Sequence, residues 1–198
     1  MKRLLLLIPV IVIIGCGLFG GEDFFPLKVD NQWKYEGYIY SATDSATVKT
    51  ETKITGEDQI NSKDVFVLVT KMSMYVFSPV VDTIEVTDTS YVMETKDTIW
   101  TYSSKTDSTP VITAVLPLEL DKTWQQIFGT DTINYIVKAK EDVTVPAETY
   151  KNSWKIEVKA NNVHESYTWY ADGTGNVKQL SEVGTDKFLL ELTEATIK

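Results

Sequence analysis

An alternation of apolar and polar residues with a period of two limits what this chain can fold into. Side chains alternate between the two faces of a β-strand, so each alternating segment predicts a half-buried strand. The clearest case is the segment 153–160, and the segments 33–39, 133–137 and 188–192 repeat the pattern. No segment has a convincing apolar period of 3.6 residues. The best helix candidate, Asp121 to Phe128, is barely two turns long.

β-Branched residues make up an unusually large part of the chain. After the first 15 residues, which we expect to be removed, 25 Thr, 19 Val and 11 Ile fill 55 of the remaining 183 positions. Their stiff χ1 angles favour strands, and turn signals separate about a dozen strand candidates. Asp64 to Phe77 starts as a two-sided apolar run, which is typical of a central strand buried on both faces. We therefore predict an all-β domain, an antiparallel meander forming a curved sheet or half-barrel, with a two-sheet β-sandwich as the alternative.

The first 15 residues have the features of a secretory signal peptide. Lys2 and Arg3 precede an apolar run, Leu4 to Ile14, which is shorter than the roughly 20 residues that a spanning helix needs. The following Gly15 and Cys16 resemble the lipobox of bacterial lipoproteins. This resemblance implies cleavage before Cys16, lipidation of its sulfur, and acylation of its new amino group by a fatty acid such as palmitate. The alternative is an ordinary secretory peptide with an incidental cysteine.

We predict three segments: a lipoprotein signal peptide at 1–15, a lipid-anchored tether at 16–25 and a single all-β domain at 26–198. Several acyl chains would anchor the chain stably, because each buried CH₂ contributes ~0.8 kcal/mol. The expected location is therefore the cell envelope, with the chain lipid-anchored to a bacterial membrane. Gly17, rather than Asp, follows the lipid-bearing cysteine. This resembles the default for outer-membrane sorting in diderm bacteria.

The charge of the predicted mature chain disfavours several classes of partner. Acidic residues outnumber lysines by 28 to 17, and the only arginine, Arg3, lies in the segment that we expect to be removed. This excess argues against nucleic acid and against attraction to anionic lipid surfaces. Without arginine, bidentate capture of phosphate or carboxylate groups is not available. The expected partners are the membrane, through the N-terminal lipid, and a hydrophobic small molecule or an envelope protein.

One octet occurs twice in the chain, 91 residues apart. Residues 26–33 and 117–124 both have the pattern P-L-x-[VL]-D-x-x-W. In each copy, proline favours an extended start, and a polar turn precedes a large aromatic residue. We predict that both octets are the same device at the start of a strand and mark two halves of one sheet. Trp33 and Trp124 would then be equivalent core anchors.

The octets and two further segments resemble motifs of a family of uncharacterised bacterial secreted lipoproteins. The octets are similar to the family's P-L-x-V-G-x-x-W, residues 142–150 to V-x-V-P-A-G-T-[FY], and residues 169–178 to [WY]-Y-A-P-G-V-G-x-V-K. Asp30 and Asp121 stand where the family has glycine, and Asp tolerates unusual turn dihedrals better than most residues. Elsewhere, Glu148 replaces a glycine and Asp172 a proline. The resemblance implies a fold distantly like the curved sheet of lipoprotein carriers (LolA/LolB-like), which cups apolar ligands, and it implies no catalytic residues.

The sequence contains no recognisable catalytic or cofactor-binding motif. His164 is the only histidine, Cys16 is assigned to lipid, and there is no nucleophile elbow, phosphate-binding glycine loop or H-E-x-x-H segment. We therefore predict a protein that is not an enzyme and has no cofactor, metal ligand or catalytic residue. The alternative is an envelope hydrolase of the glycosidase type, because 28 acidic residues offer many carboxylate pairs.

Aromatic residues are the remaining resource for binding. An apolar sheet face that no helix covers must close on itself, pack against a second sheet or bind a ligand. The candidate ligand-facing residues are Trp154, Ile156 and Val158, joined by Tyr167 and Trp169 if the next strand pairs in hairpin register. We expect a non-catalytic binding or structural role, with an apolar molecule as the ligand. A closed core that these side chains simply fill is the structural alternative.

Overall fold

The computed structural model describes residues 23–42, 45–78, 82–107, 109–128, 131–161 and 164–198. Within these ranges the chain forms β-strands and no helix. The strands are β1 (Gln32–Tyr40), β2 (Ser45–Ile60), β3 (Lys63–Ser78), β4 (Asp82–Glu94), β5 (Thr98–Tyr102), β6 (Val111–Val115), β7 (Thr123–Phe128), β8 (Asp131–Thr144), β9 (Thr149–Ala160), β10 (His164–Ala171), β11 (Gly175–Val183) and β12 (Asp186–Thr196).

All the strands belong to one antiparallel sheet, in the order β6-β5-β4-β3-β2-β1-β12-β11-β10-β9-β8-β7. Strands adjacent in sequence pair with each other, and the pairing of β1 with β12 joins the two halves of the sheet. The sheet curls into a nearly closed barrel that brings its edge strands, β6 and β7, together. The predicted curved meander is thus confirmed, and the two-sheet alternative is wrong.

A glutamine side chain closes the seam between the two edge strands. The Oε1 atom of Gln126 on β7 accepts a hydrogen bond from the Ile112 backbone N–H on β6, at 2.6 Å. The Nε2 atom of Gln126 donates to the Pro110 carbonyl at 3.2 Å. A side-chain amide has one acceptor and two donors, so Gln126 replaces part of the backbone ladder that is missing between β6 and β7.

The main core fills the inside of the barrel. Trp33 and Tyr35 of β1 and Leu190 and Leu192 of β12 lie on the inner face and are almost fully buried. Other strands contribute Ile54, Leu68, Val92, Ile99, Ala114, Val137, Ile156 and Val177 to this core. Charged side chains occupy the alternate, outer positions and pair across strands, as Lys178 does with Glu191. The period-two pattern of the sequence therefore separates inside from outside.

The barrel has one plugged end, which we call the lower end and at which β1 and β11 begin. Phe24 and Phe25, which the sequence analysis includes in the tether, are buried in the main core there. The Gly173 backbone N–H, in the β10–β11 turn, donates to the Asp23 carbonyl at 2.6 Å. The β8–β9 turn also reaches this end, because the Ala147 N–H donates to the Leu192 carbonyl of β12 at 3.0 Å.

The turns within the two octets have matching backbone hydrogen bonds. The Asp30 N–H donates to the Ile54 carbonyl, and the Asp121 N–H donates to the Val137 carbonyl, both at 2.9 Å. Asp30 has φ 73° and Asp121 has φ 64°, the left-handed conformation that glycine adopts readily and aspartate tolerates. Each turn leads directly into a strand, β1 or β7. The prediction of a shared device at the start of two strands is confirmed, and the best helix candidate, 121–128, forms the end of this turn and β7 instead.

A small second core lies on the outer face of the lower half of β2–β5. Ile60, Val65, Met93 and Tyr102 are buried in it, on the opposite face from the main-core residues of the same strands. The β5–β6 connection lies near this face, and Lys105 within it forms an ion pair with Asp58 of β2. Near Val65, the apolar run of β3 therefore packs against the main core on its inner face and against the second core on its outer face.

Candidate functional site

The inner face of the barrel is accessible in its upper half. Several inner residues there, such as Val158 on β9 and Phe188 on β12, are only partly buried, although Ala46 and Val48 on β2 are buried. Most inner residues of the lower half are almost fully buried. Strand β5 pairs with β4 only at residues 91–94, so the upper part of β4 is an open sheet edge. Ile84 and Val86, on the inner face of this part, are 42% and 39% exposed. Water therefore reaches the inner face from the upper end and from the side beyond β4.

The accessible part of the inner face is amphiphilic. Its apolar members include Ile39, Met72, Met74, Tyr135, Val158 and Phe188. Its polar members include Thr168 and Gln179, which pair between β10 and β11, and the exposed Asp82 and Asp88 on the inner face of β4. Methionine side chains adapt to irregular apolar shapes, and hydroxyl and amide groups can orient a ligand's polar end. Such a lining suits a molecule with an apolar body and a small polar group.

The five predicted ligand-facing residues do not share one face. Trp154, Ile156 and Val158 lie on the inner face, where Trp154 and Ile156 are buried and Val158 is partly exposed. Tyr167 pairs with Glu157 and Trp169 pairs with Lys155, so both aromatic residues lie on the outer face. Only Val158 of the set borders the accessible part of the inner face. The ligand-facing role of these residues stays a prediction, but they cannot form a single lining.

Tyr167 and Trp169 belong instead to a cluster of charged and aromatic side chains on the outer wall. The Lys155 Nζ atom lies 4.2 Å from the centroid of the Tyr167 ring and 5.0 Å from that of the Trp169 ring. The Trp169 Nε1–H donates to the Glu141 carboxylate at 2.8 Å. A cation over an aromatic face contributes about 0.5–1 kcal/mol at an exposed site. These contacts cover Trp169 and account for its burial without a ligand.

Several buried polar groups have no hydrogen-bond partner among the described residues. On the inner face these are the Nε1 atoms of Trp124 and Trp154, the hydroxyl of Thr50 and the side-chain amide of Asn176. Neighbouring polar groups are satisfied: the Tyr35 hydroxyl, for example, donates to the Asn176 carbonyl at 2.9 Å. Buried polar groups are nearly always paired in native proteins, so these groups are exceptions, and they lie within the packed core rather than on the accessible part of the inner face.

The titratable groups inside the barrel favour hydrogen bonding over proton transfer. Burial raises the pKa of Tyr135 to about 12, and it raises the pKa values of Tyr35 and Tyr170 well above the usual range, so all three hydroxyls are neutral. Among the carboxyl groups in the described part of the chain, Glu94, half-buried at the end of β4, is the one whose pKa is raised. Burial is the main cause of its pKa of about 7, and the nearby charge of Asp23 adds to it.

The described residues contain no group of three or more His, Cys, Asp or Glu side chains that could hold a metal ion. His164 begins β10, where it pairs with Ala160. Among the same residues no helix has the length and apolarity needed to cross a membrane. Cys16, the predicted lipidation site, lies outside the described residues, as do the signal peptide at 1–15 and most of the tether.

A surface pocket of about 370 Å³ lies beside the second core. Its walls include Met93, Trp100 and Pro110, with Lys63, Thr95, Asp97 and Thr98 around them. No sequence motif indicates this pocket. Its residues come from a turn, a loop and two strands that meet only in the folded sheet, so they form no pattern along the sequence. Among them, only Trp100 stands out in the sequence, as a large aromatic residue.

Comparisons with known proteins found similar solved structures only. No family model matches the chain, and no curated protein matches it. One similar solved structure, from Bacteroides fragilis, is described as an exported protein with a YmcC-like fold; it is 12% identical, with a TM-score of 0.44 over 89% of this chain and 100% of that chain. A second, described as a lipoprotein from Parabacteroides distasonis, is 12% identical, with a TM-score of 0.38 over 88% and 99% of the two chains. A third, a β-barrel-like protein from Brucella abortus of a domain of unknown function, is 6% identical, with a TM-score of 0.47 over 87% and 99%.

Proposed function

We propose that this protein is a lipid-anchored protein of the bacterial cell envelope that binds an apolar or amphiphilic small molecule and catalyses no reaction. The observation that carries the proposal is the contrast between the two halves of the barrel's inner face. The lower half is packed and plugged, whereas in the upper half Ile84 and Val86 are exposed and Phe188 is only partly buried. Exposed apolar surface inside a concave fold is typical of a ligand site.

The chemistry of the inner face supports binding rather than catalysis. Its tyrosine hydroxyls are held neutral by burial, and its polar groups on β10 and β11 are hydroxyls and amides, which donate and accept hydrogen bonds without exchanging protons near neutral pH. The carboxylates on this face, Asp82 and Asp88, are exposed at the open edge of β4. Glu94 is the group whose pKa would suit acid–base chemistry, but it lies at the plugged lower end, away from the accessible inner face.

The envelope location is supported by the first sixteen residues. A positively charged start, a short apolar run and Gly15-Cys16 together predict cleavage and lipidation at Cys16. We expect Cys16→Ala to remain unprocessed or to be released from membranes. A variant that is processed and fractionates with membranes as the native chain does would contradict the lipid anchor.

Native mass spectrometry of the full chain, extracted gently from its own membrane, tests ligand binding. We expect a non-covalent mass to remain bound to the native protein and to be lost in Val86→Glu, which places a charge on the inner face of β4. Thr87→Glu is the matched control, because Thr87 is the adjacent residue, is also exposed and lies on the outer face. No bound mass, or equal retention by both variants, would contradict the proposed site.

A further inference from the structure

The surface pocket beside the second core has an apolar wall that is fixed from below. Met93 on β4 and Trp100 on β5 form this wall and pair with each other across the two strands. The second core supports both side chains, because Met93 is buried in it and Trp100 packs against it. Trp100 stays partly exposed, so the pocket offers an aromatic surface whose position does not depend on a ligand.

The opposite wall is the β4–β5 turn, which internal hydrogen bonds hold in shape. The Thr95 N–H donates to the Thr98 carbonyl at 2.9 Å, and the Thr98 N–H donates to the Thr95 hydroxyl at 3.1 Å. The Thr98 hydroxyl donates to the Oδ1 atom of Asp97 at 3.2 Å. The Oδ2 atom of Asp97 accepts no hydrogen bond from the described residues. The turn therefore presents a fixed carboxylate with a vacant acceptor to the pocket.

A lysine of opposite charge lines the same pocket without pairing to this carboxylate. Lys63, at the start of β3, and Asp97 are both exposed. Among the described residues, neither forms an ion pair with the other or with a third residue, whereas Lys34 and Lys49 on the barrel wall are paired. Unlike charges that are held apart in one pocket are both satisfied by a ligand that carries both signs. The arrangement therefore suits a zwitterion.

The residue types in the pocket restrict the two charged groups of such a ligand. Lysine binds phosphate as a point charge, while bidentate capture of a carboxylate needs arginine, which the predicted mature chain lacks. A primary ammonium can donate hydrogen bonds to Asp97 and to the threonine hydroxyls, and a quaternary ammonium cannot. Quaternary groups are held by cages of aromatic rings, and Trp100 is the aromatic residue among the described residues that line this pocket.

The pocket lies at the end of the barrel from which the tether leaves. Thr95 directly follows Glu94, and the nearby charge of Asp23 helps to raise the pKa of Glu94. Asp23 lies seven residues after Cys16, and at ~3.3–3.6 Å per residue this segment spans at most about 25 Å. A lipid anchor at Cys16 would therefore keep this end of the barrel, with its pocket, close to the headgroups of the bilayer.

We propose that this pocket binds a phosphoethanolamine group, with the phosphate at Lys63, the ammonium at Asp97 and the methylene groups on Trp100. At about 370 Å³ the pocket is at the small end of the range for ligand sites, about 300–1,000 Å³, which suits a group of this size. The site is separate from the inner face of the barrel. A bilayer phospholipid and a soluble phosphoethanolamine ester share this chemistry, and only the first source rests on the proposed lipid anchor.

A titration followed by nuclear magnetic resonance tests the pocket. The full, lipidated chain with isotope-labelled tryptophan is placed in phosphatidylcholine nanodiscs and titrated with glycerophosphoethanolamine, and Trp100→Phe assigns the Trp100 indole signal. We expect a saturable shift of this signal. Lys63→Gln and Asp97→Asn should each weaken binding at least about fivefold, because each removes one charge-assisted contact. Lys96→Gln is the matched control, since Lys96 is an exposed lysine of the same turn that does not line the pocket.

Nanodiscs that contain phosphatidylethanolamine identify the source of the group. If the bilayer lipid fills the pocket, the Trp100 signal is already shifted in these discs before the ester is added. A shift with the soluble ester alone would support the pocket and overturn the lipid as its source.

Three results would overturn the proposed site: no saturable shift in either arm, an equal response to glycerophosphocholine, or an equal loss of binding in Lys96→Gln. Absence of the acyl mass on Cys16 would overturn the anchor alone, because the titration with the soluble ester can be repeated on the unanchored chain in solution.

Discussion

Gly37 shows how a single position can be limited by the approach of two backbones. A Cβ atom added at Gly37 would lie 1.8 Å from the Leu189 carbonyl oxygen and 2.9 Å from the Leu190 Cα atom on β12. Both are backbone atoms in the middle of the ladder that joins the two halves of the sheet, so neither can move without disturbing the β1–β12 pairing. Glycine is required here for space rather than for its φ angle.

We expect Gly37→Ala to lower the free energy of unfolding by about 1–3 kcal/mol or more, because overpacking against backbone cannot be relieved by a rotamer change. Gly56 on β2 is the matched control, since a Cβ atom there meets nothing within 4 Å. Gly56→Ala should be neutral or slightly stabilising, by up to about 1 kcal/mol. Urea denaturation of both variants makes the comparison, and equal stabilities would contradict this account of Gly37.

Glu94 should make the stability of the barrel fall as the pH rises. Its pKa is about 7 in the folded protein, mainly because of burial, against an ordinary value of 4.5. The folded state therefore holds this proton more tightly than the unfolded state. The resulting contribution to stability is complete below about pH 4.5 and is lost as the pH rises through about 7.

Chemical denaturation at pH 5 and pH 8 measures this effect in native protein, in Glu94→Gln and in Glu85→Gln, an exposed control on the same strand. We expect the loss of stability between the two pH values to be smaller in Glu94→Gln than in the native protein, and unchanged in the control. Three equal losses would mean that Glu94 is not buried in the folded state.

At the scale of the element, the two octets form equivalent turns, but their final tryptophans differ in one side-chain hydrogen bond. Trp33 is fully buried and its Nε1–H donates to the Thr174 carbonyl at 2.7 Å. Trp124 is also buried, but its Nε1 has no partner in the described residues, and its ring stacks on Tyr135 with 5.0 Å between centroids. The sequence predicts that both tryptophans are buried anchors. Whether the indole N–H has a hydrogen-bond partner depends on which residues surround each tryptophan in the folded barrel.

Alanine at either position should cost about 3–5 kcal/mol, as expected for a buried tryptophan. Phenylalanine separates the two sites, because it keeps most of the ring and removes only the N–H donor. We expect Trp33→Phe to cost about 1–3 kcal/mol more than Trp124→Phe, since it leaves the Thr174 carbonyl unpaired. Thermal unfolding measured by circular dichroism tests the order, and an equal cost at both sites would refute it.

At the scale of the whole molecule, closure of the barrel depends on the seam between β6 and β7. Gln126 bonds to both Pro110 and Ile112 across this seam, whereas the adjacent Gln125 is exposed on the outside. We expect Gln126→Ala to speed amide hydrogen exchange at Ile112 and its neighbours in β6 by at least about tenfold, because each lost 1.4 kcal/mol of protection is a factor of ten. Gln125→Ala is the control. Unchanged exchange in Gln126→Ala would show that the glutamine does not hold the seam.

Local sequence pattern determined which segments of this chain are strands, which face of most strands is apolar, and where the left-handed turns at Asp30 and Asp121 fall. These properties depend on neighbours a few residues apart, through side-chain alternation and turn dihedrals. The tertiary structure decided the rest. Tyr167 and Trp169 lie on the opposite face of the sheet from Trp154 because they pair with Glu157 and Lys155, and a shift of one residue in this pairing would exchange the faces. The β1–β12 pairing and the Gln126 seam likewise join residues far apart in sequence, and no local pattern records such contacts.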